Sequence, residues 1–250
     1  MIRYLIVCPL VFLAGYIDAI AGGGGLISLP AYILTGMPIR SCIATNKMSS
    51  CMGTTVSTVK YAGSGFIPWK QALFCIPCAF LGSSIGANIA LMIDDRIFRW
   101  IMLVILPLTA WYVITRKEFT VKHEKLSGST VIMISMLVAF VIGIYDGFYG
   151  PGTGTFLILL LTGIAGMKLE QANGLTKTIN LSTNLSALVV FLMNGQVMFP
   201  LGIIAGVFNI CGNYLGARNF QKGGAKIVKP IMSLVILVFF VKVLWELVSG

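Results

Sequence analysis

Glycine is among the poorest helix formers, yet this chain clusters it at matching points inside apolar stretches. Residues 17–25 read IDAIAGGGG and residues 145–153 read YDGFYGPGT. Four consecutive glycines, or a GPGTG run with proline in it, should break any helix they interrupt. A shift of 128 residues places Gly15 on Gly143, Asp18 on Asp146, Gly22 on Gly150 and Gly24 on Gly152. A shift two residues longer places Lys47 on Lys177, Gly65 on Gly195, and LGSSIGA at residues 81–87 on CGNYLGA at residues 211–217. The chain is therefore expected to be two copies of one fold, residues 1–115 and 130–250. A polar, charged linker at residues 116–129 joins them.

The breaks sit in a membrane setting. Of 250 residues 57% are hydrophobic and 10% charged, and the mean hydropathy of +0.93 is far above that of a soluble chain. Apolar windows cover residues 4–20, 71–93, 97–115, 130–146, 197–215 and 227–248, against the ~20 residues a bilayer crossing needs. Residues 45–62 and 176–193 are long enough too, but rich in Ser, Thr and Asn. The fold class expected is an all-α polytopic membrane protein of two four-segment repeats. Only Arg3 precedes the first apolar run, so that segment is expected to be a retained span and not a cleaved signal peptide. The net charge of +10 sits in short loops between spans, which argues against nucleic acid as a partner. Cys75 and Cys78 form a C-x-x-C inside an apolar helix and read as inert thiols. His123, alone in the linker, makes a metal site improbable, and no cofactor is implied.

Irregular backbone at membrane depth is tolerated only where protein or a water-filled cavity surrounds it. The two breaks therefore point to a cavity where the repeats meet, as in secondary transporters. Each break is followed by a short apolar run, residues 26–34 and 155–162, roughly 12 to 15 Å long as helix and too short to span. Each is expected to be a re-entrant half-helix whose N-terminal N–H groups, at Gly22, Gly23, Gly24, Gly25 and at Gly150, Gly152, Thr153, suit an anion. The next segments, TNKMSSCMGTTVSTVK and TKTINLSTNLSA, open with Lys47 and Lys177 at matched positions. Their polar groups Thr45, Asn46, Ser49, Ser50, Thr54, Thr176, Asn180, Thr183 and Asn184 should face the path or the partner repeat. The lysines are either buried functional cations or snorkel to headgroups. Asp18 and Asp146 are open to three roles: a proton site, a partner for the lysines, or a helix-terminal structural residue.

Charge placement favours inverted repeats. If the first span and its half-helix make no net crossing, each half crosses three times. The basic linker (Arg116, Lys117, Lys122, Lys125) and the basic stretch Arg218, Lys222, Lys226, Lys229 then share the cytoplasmic side. The uncharged turn at residues 194–196 falls outside, with Asp94, Asp95, Arg96 and Arg99.

GYIDAIAGGGGLISLPA, ATNKMSS, YDGFYGPGTGTF and NYLGAR, spread over most of the chain, resemble the TauE/SafE family of membrane transporters, the sulfite exporter or TSUP family, and most of all its YfcA-like branch. The resemblance implies transport of small sulfur-containing anions such as sulfite, sulfoacetate and related sulfonates across a cell membrane, most naturally a bacterial inner membrane. The partners implied are that anion and the lipid bilayer, with a homodimer as an open option. The second half departs from the pattern at Leu175 and Thr176, where the first has Thr45 and Asn46, so the two half-sites are chemically unequal. A passive anion channel built from the same parts is the alternative. An intramembrane enzyme is disfavoured, because H-E-x-x-H does not occur and no pair of carboxylates stands at helical spacing to activate a nucleophile.

Overall fold

The structure, a computed structural model, describes residues 2–94, 97 and 126–223. Those residues form eight helices and no strands. In the first half these are α1 (Ile2–Ala21), α2 (Gly25–Ile33), α3 (Ile39–Gly63) and α4 (Trp69–Met92). The second half has α5 (Gly128–Phe148), α6 (Thr153–Gly163), α7 (Leu169–Met193) and α8 (Phe199–Gly223). Five of them, α1, α4, α5, α7 and α8, are long and apolar enough to cross a membrane. The linker's charged residues and His123, Asp95, Arg96, Arg99, Lys226 and Lys229, and the windows at 97–115 and 227–248, lie outside the described residues apart from Ile97.

The short helices fall close to expectation: α2 and α6 have 9 and 11 residues and start immediately after the glycine breaks. The polar helices differ. They begin at Ile39 and Leu169, so Lys47 and Lys177 lie more than two turns inside them instead of opening them. The cause is local. Pro38 is the N-cap of α3, where its missing N–H costs nothing and the chain can enter the helix early. Lys168, with extended backbone, holds the same position before α7. This depth removes the snorkelling option, because both lysine side chains are buried.

α3 and α7 pack on each other at the centre, and α1, α4, α5 and α8 surround them. The outer helices expose Leu73, Phe80, Ile85, Met133, Leu137, Ile203 and Val207, the side chains a lipid tail solvates without cost. Between outer helices the backbones touch. A Cβ on Gly143 would lie 2.9 Å from the Ala79 carbonyl oxygen, and one on Gly15 would lie 2.7 Å from that of Asn209. Gly82, Gly86, Gly147, Gly212 and Gly216 abut carbonyls of the facing helix in the same way. Small residues four apart are how apolar helices associate when lipid competes equally for their side chains. Hydroxyls bind the polar helices to the shell: Ser83 donates to the Thr183 carbonyl at 2.7 Å, Ser186 to that of Phe80 at 2.7 Å and Ser182 to that of Ile76 at 3.0 Å.

Candidate functional site

The two glycine breaks meet. A Cβ on Gly154 would stand 2.5 Å from the Gly22 Cα, and one on Gly25 would stand 3.1 Å from the Pro151 Cα. The chain reaches this point by folding back on itself: a Cβ on Gly24, the N-cap of α2, would lie 2.5 Å from the Ala14 carbonyl oxygen and 2.6 Å from the Asp18 Cβ. In the second half Gly152, with left-handed backbone, caps α6, and Tyr145 reaches across the turn to donate to the Pro151 carbonyl at 2.6 Å.

Around this junction lies a cavity of about 40 Å³, room for a few waters or one small ion. Both halves line it. From the first come Ala14, Asp18, Gly22, Gly24, Gly25, Ser28, Asn46, Lys47, Ser50 and Thr54. Asp146, Gly150, Thr153, Gly154, Asn180, Asn184 and Asn209 complete it from the second. Asn46 and Asn180 are buried, and the Oδ1 atom of each has no hydrogen-bond partner within the protein. A buried acceptor without a partner is costly, which marks these two amides as places where a water or another donor completes the bonding.

Each lysine pairs with the aspartate of the other half. Lys47 Nζ stands 2.6 Å from Asp146 Oδ2, and Lys177 Nζ stands 2.9 Å from Asp18 Oδ2. Each aspartate is thus a lysine partner, one of the three roles open to it. The two pairs are built differently. Lys47 also donates to Asn184 Oδ1 at 3.2 Å, and Asp146 Oδ1 accepts from the Thr153 hydroxyl at 2.7 Å. A Cβ on Gly150, which has φ +98°, would lie 3.1 Å from Asp146 Oδ1 and 3.2 Å from Lys47 Nζ, so a glycine keeps this pair open to the cavity.

Lys177 stands outside the cavity lining, wholly buried, and donates to the Asp18 backbone carbonyl as well as to its carboxylate. It belongs to a clasp on the end of α1. The last carbonyls of a helix lack partners of their own. Here Tyr61 donates to the Ala19 carbonyl at 2.6 Å, Asn173 to that of Ile20 at 3.2 Å, and Thr155 to that of Ala21 at 3.0 Å.

Of the residues singled out from sequence, Gly22, Gly24, Gly25, Asn46, Lys47, Ser50, Thr54, Gly150, Thr153, Asn180 and Asn184 line the cavity, as do Asp18 and Asp146. Gly23, Thr45, Ser49, Gly152, Thr176, Lys177 and Thr183 do not. Thr45 instead accepts a hydrogen bond from the Met198 N–H at 3.1 Å. Sequence reasoning missed Ser28, Gly154 and Asn209. Asn209 carried a usable signal, since Asn209 and Asn213 stand one turn apart in an otherwise apolar span. Among the described residues no cluster of His, Cys, Asp or Glu suits a metal ion.

The family model described as Sulfite exporter TauE/SafE matches residues 7–243. A "Probable membrane transporter protein ORF9" from a Sinorhizobium species is 32% identical over 93% of this chain and 89% of its own length. A "Probable membrane transporter protein" of Haemophilus influenzae is 30% identical over 94% of this chain and 92% of its own. The "Probable membrane transporter protein YfcA" of Escherichia coli is 27% identical over 94% and 87%. No solved structure matches the chain at a significant level.

Proposed function

The chain belongs to the sulfite exporter TauE/SafE family of membrane transporters, and from that premise we propose that it is a secondary transporter of small sulfur-containing anions, such as sulfite, sulfoacetate or a related organosulfonate. Transport proceeds by alternating access at the interface of two repeats. The observation that carries this is the cavity at the junction of the two breaks, where both halves supply N–H and O–H donors and one ammonium around a space the size of a small oxoanion. Oxoanions are acceptors only, and the amides, hydroxyls and lysine of the site answer that chemistry, while the two carboxylates that also line it, Asp18 and Asp146, are each paired with a lysine.

The halves, residues 1–115 and 130–250, act as inverted repeats, each with its first span and short helix forming a re-entrant hairpin. Helix packing supports this. α1 packs on α8 and α4 on α5; α3 packs on α8 and α7 on α4. Exchanging the halves turns each of these contacts into its counterpart, as any two-fold relation requires, and the matched α3 and α7 run antiparallel, with Lys47 against Asn184 and Thr58 against the Lys177 carbonyl, as inversion requires. Inverted repeats put the turns after α3 and α7 on opposite sides of the bilayer. Single cysteines at the exposed Ser64 and Gly195, in an otherwise cysteine-free variant, are expected to react with an impermeant maleimide from opposite faces. Labelling of both from one face would remove the inverted arrangement.

The function itself is tested with purified protein in liposomes loaded with sulfite, thiosulfate, sulfate, sulfoacetate, taurine or isethionate. At least one is expected to show counterflow, which a passive channel lacks. The same compound at 100 times its dissociation constant should stabilise the folded protein by ~2.7 kcal/mol. Flux no faster than from protein-free liposomes across the whole panel would refute the proposal.

A further inference from the structure

An anion that enters this cavity meets a lysine already engaged by a carboxylate. Lys47 is the ammonium of the lining, and Asp146 Oδ2 holds it at 2.6 Å. The charged groups are balanced: Lys47 with Asp146, Lys177 with Asp18. A monovalent anion added to that balance leaves a net negative charge in a buried site, and a protein interior avoids an uncompensated charge by changing a protonation state.

We propose that Asp146 is a proton-binding site coupled to the anion site: a proton taken up on Asp146 Oδ2 breaks the bond to Lys47, and the freed ammonium turns to the anion. The inference rests on the transport reading above. Charge balances throughout, since lysine plus aspartate carries zero, and lysine plus protonated aspartate plus a monovalent anion also carries zero. No electrons move. The proton leaves from the same oxygen when the anion does, so proton and anion cross together, and for a monovalent anion the step carries no net charge across the bilayer.

The surroundings favour Asp146 over Asp18 for this role. Lys47 from α3 faces it, and Asp18 from α1 lies on the same cavity with Lys177 of α7 behind it. The lining from α2, α6, α7 and α8 is neutral: Ser28, Thr153, Gly154, Asn180, Asn184 and Asn209 with Gly25. α4 meets α5 here through the uncharged Gly82, Ser83 and Gly86, and the neighbouring Tyr145 hydroxyl is turned away to the Pro151 carbonyl. When Asp146 is protonated, Thr153 and Asn184 remain as partners for it and for Lys47. Lys177 has no such freedom. It is fully buried and bonded to the Asp18 carbonyl within the clasp on α1, so release of the Asp18 carboxylate would still leave that ammonium away from the cavity.

The test is calorimetric binding of isethionate, a monoanion, and thiosulfate, a dianion, both fully ionised between about pH 6 and pH 8, to the purified full chain in buffers of different ionisation enthalpy. The expected result is uptake of about one proton per isethionate and at least one per thiosulfate, and an affinity for each that weakens on the alkaline side, by up to about tenfold per pH unit for each proton taken up. The Asp146→Asn variant, a neutral mimic of the protonated residue, should bind with no proton uptake and no pH dependence. The proton count on the unmodified protein decides the matter even if that variant fails to fold. Binding without proton uptake overturns the coupling and leaves the transport reading intact. Proton uptake that persists in Asp146→Asn and vanishes in Asp18→Asn also overturns it. Failure of every anion in the transport panel to bind overturns both.

Discussion

Lys47→Ala is expected to abolish anion binding and transport, whereas Lys177→Ala chiefly destabilises the fold. In Lys47→Ala the Asp146 carboxylate, 6% exposed, keeps only the Thr153 hydroxyl as an observed side-chain donor. Removing one partner of a buried pair commonly costs 3 to 5 kcal/mol, roughly, because the other charge stays behind without compensation. The double variant Lys47→Ala with Asp146→Ala removes both charges and should recover most of that stability while still failing to bind. That separation is the useful result, since it divides what the ammonium does for the fold from what it does for the anion. Lys177→Ala strips two bonds from the end of α1, one to the Asp18 carboxylate and one to its carbonyl. A comparable loss of stability is expected there, with anion affinity retained in the fraction that folds. Thermal unfolding in detergent and equilibrium binding of the transported anion, measured on all four proteins, decide between these outcomes. Full binding by Lys47→Ala would mean that the cavity's cation is not its ligand.

Much of this site was legible because it is written in backbone chemistry. Gly22 to Gly25 and Gly150 to Thr153 break their helices for reasons local to those residues, and α2 and α6 begin where the breaks end. The seryl, threonyl and asparaginyl run of α3 and α7 could only face protein, and these two helices are indeed the central pair. What sequence left open depends on contacts far apart in the chain. Lys47 meets Asp146 across 99 positions and Lys177 meets Asp18 across 159. Matched positions suggested matched duties for the two lysines. They differ because Thr153 stands where the first half has Gly25, and Asn184 where it has Thr54, so the support around Asp146 has no counterpart around Asp18. The clasp on α1 was hidden for a similar reason. Tyr61, Asn173 and Thr155 come from three different helices, and only the assembled fold brings them to one set of carbonyls.

Gly154→Ala should be among the most damaging single-methyl changes in the protein. Gly154 is the second residue of α6, and by propensity alone alanine there would favour the helix by ~1 kcal/mol. The opposing effect is steric. Its Cβ would sit 2.5 Å from the Gly22 Cα, 2.7 Å from the Gly22 carbonyl oxygen and 2.9 Å from Asn180 Nδ2. Two of those three neighbours are backbone, so no rotamer change relieves the contact and the two breaks must move apart. Gly22 cannot yield by changing its own conformation cheaply, because its φ of +74° already uses the freedom that only glycine has. Overpacking a tight contact costs typically 1 to 3 kcal/mol and more where backbone must shift, so a net loss of about 2 kcal/mol or more is expected. Gly195→Ala is the control. Gly195 has φ +64° but nothing within 4 Å of the added carbon, so only the backbone term, ~1 to 2 kcal/mol, applies. Thermal unfolding of the two variants beside the parent gives the ordering, and counterflow of the transported anion gives its consequence. Separation of the breaks reshapes the cavity that both line, so Gly154→Ala should lose transport even in the fraction that folds, while Gly195→Ala keeps it. Parental stability and parental counterflow in Gly154→Ala would show that the breaks do not bear on each other.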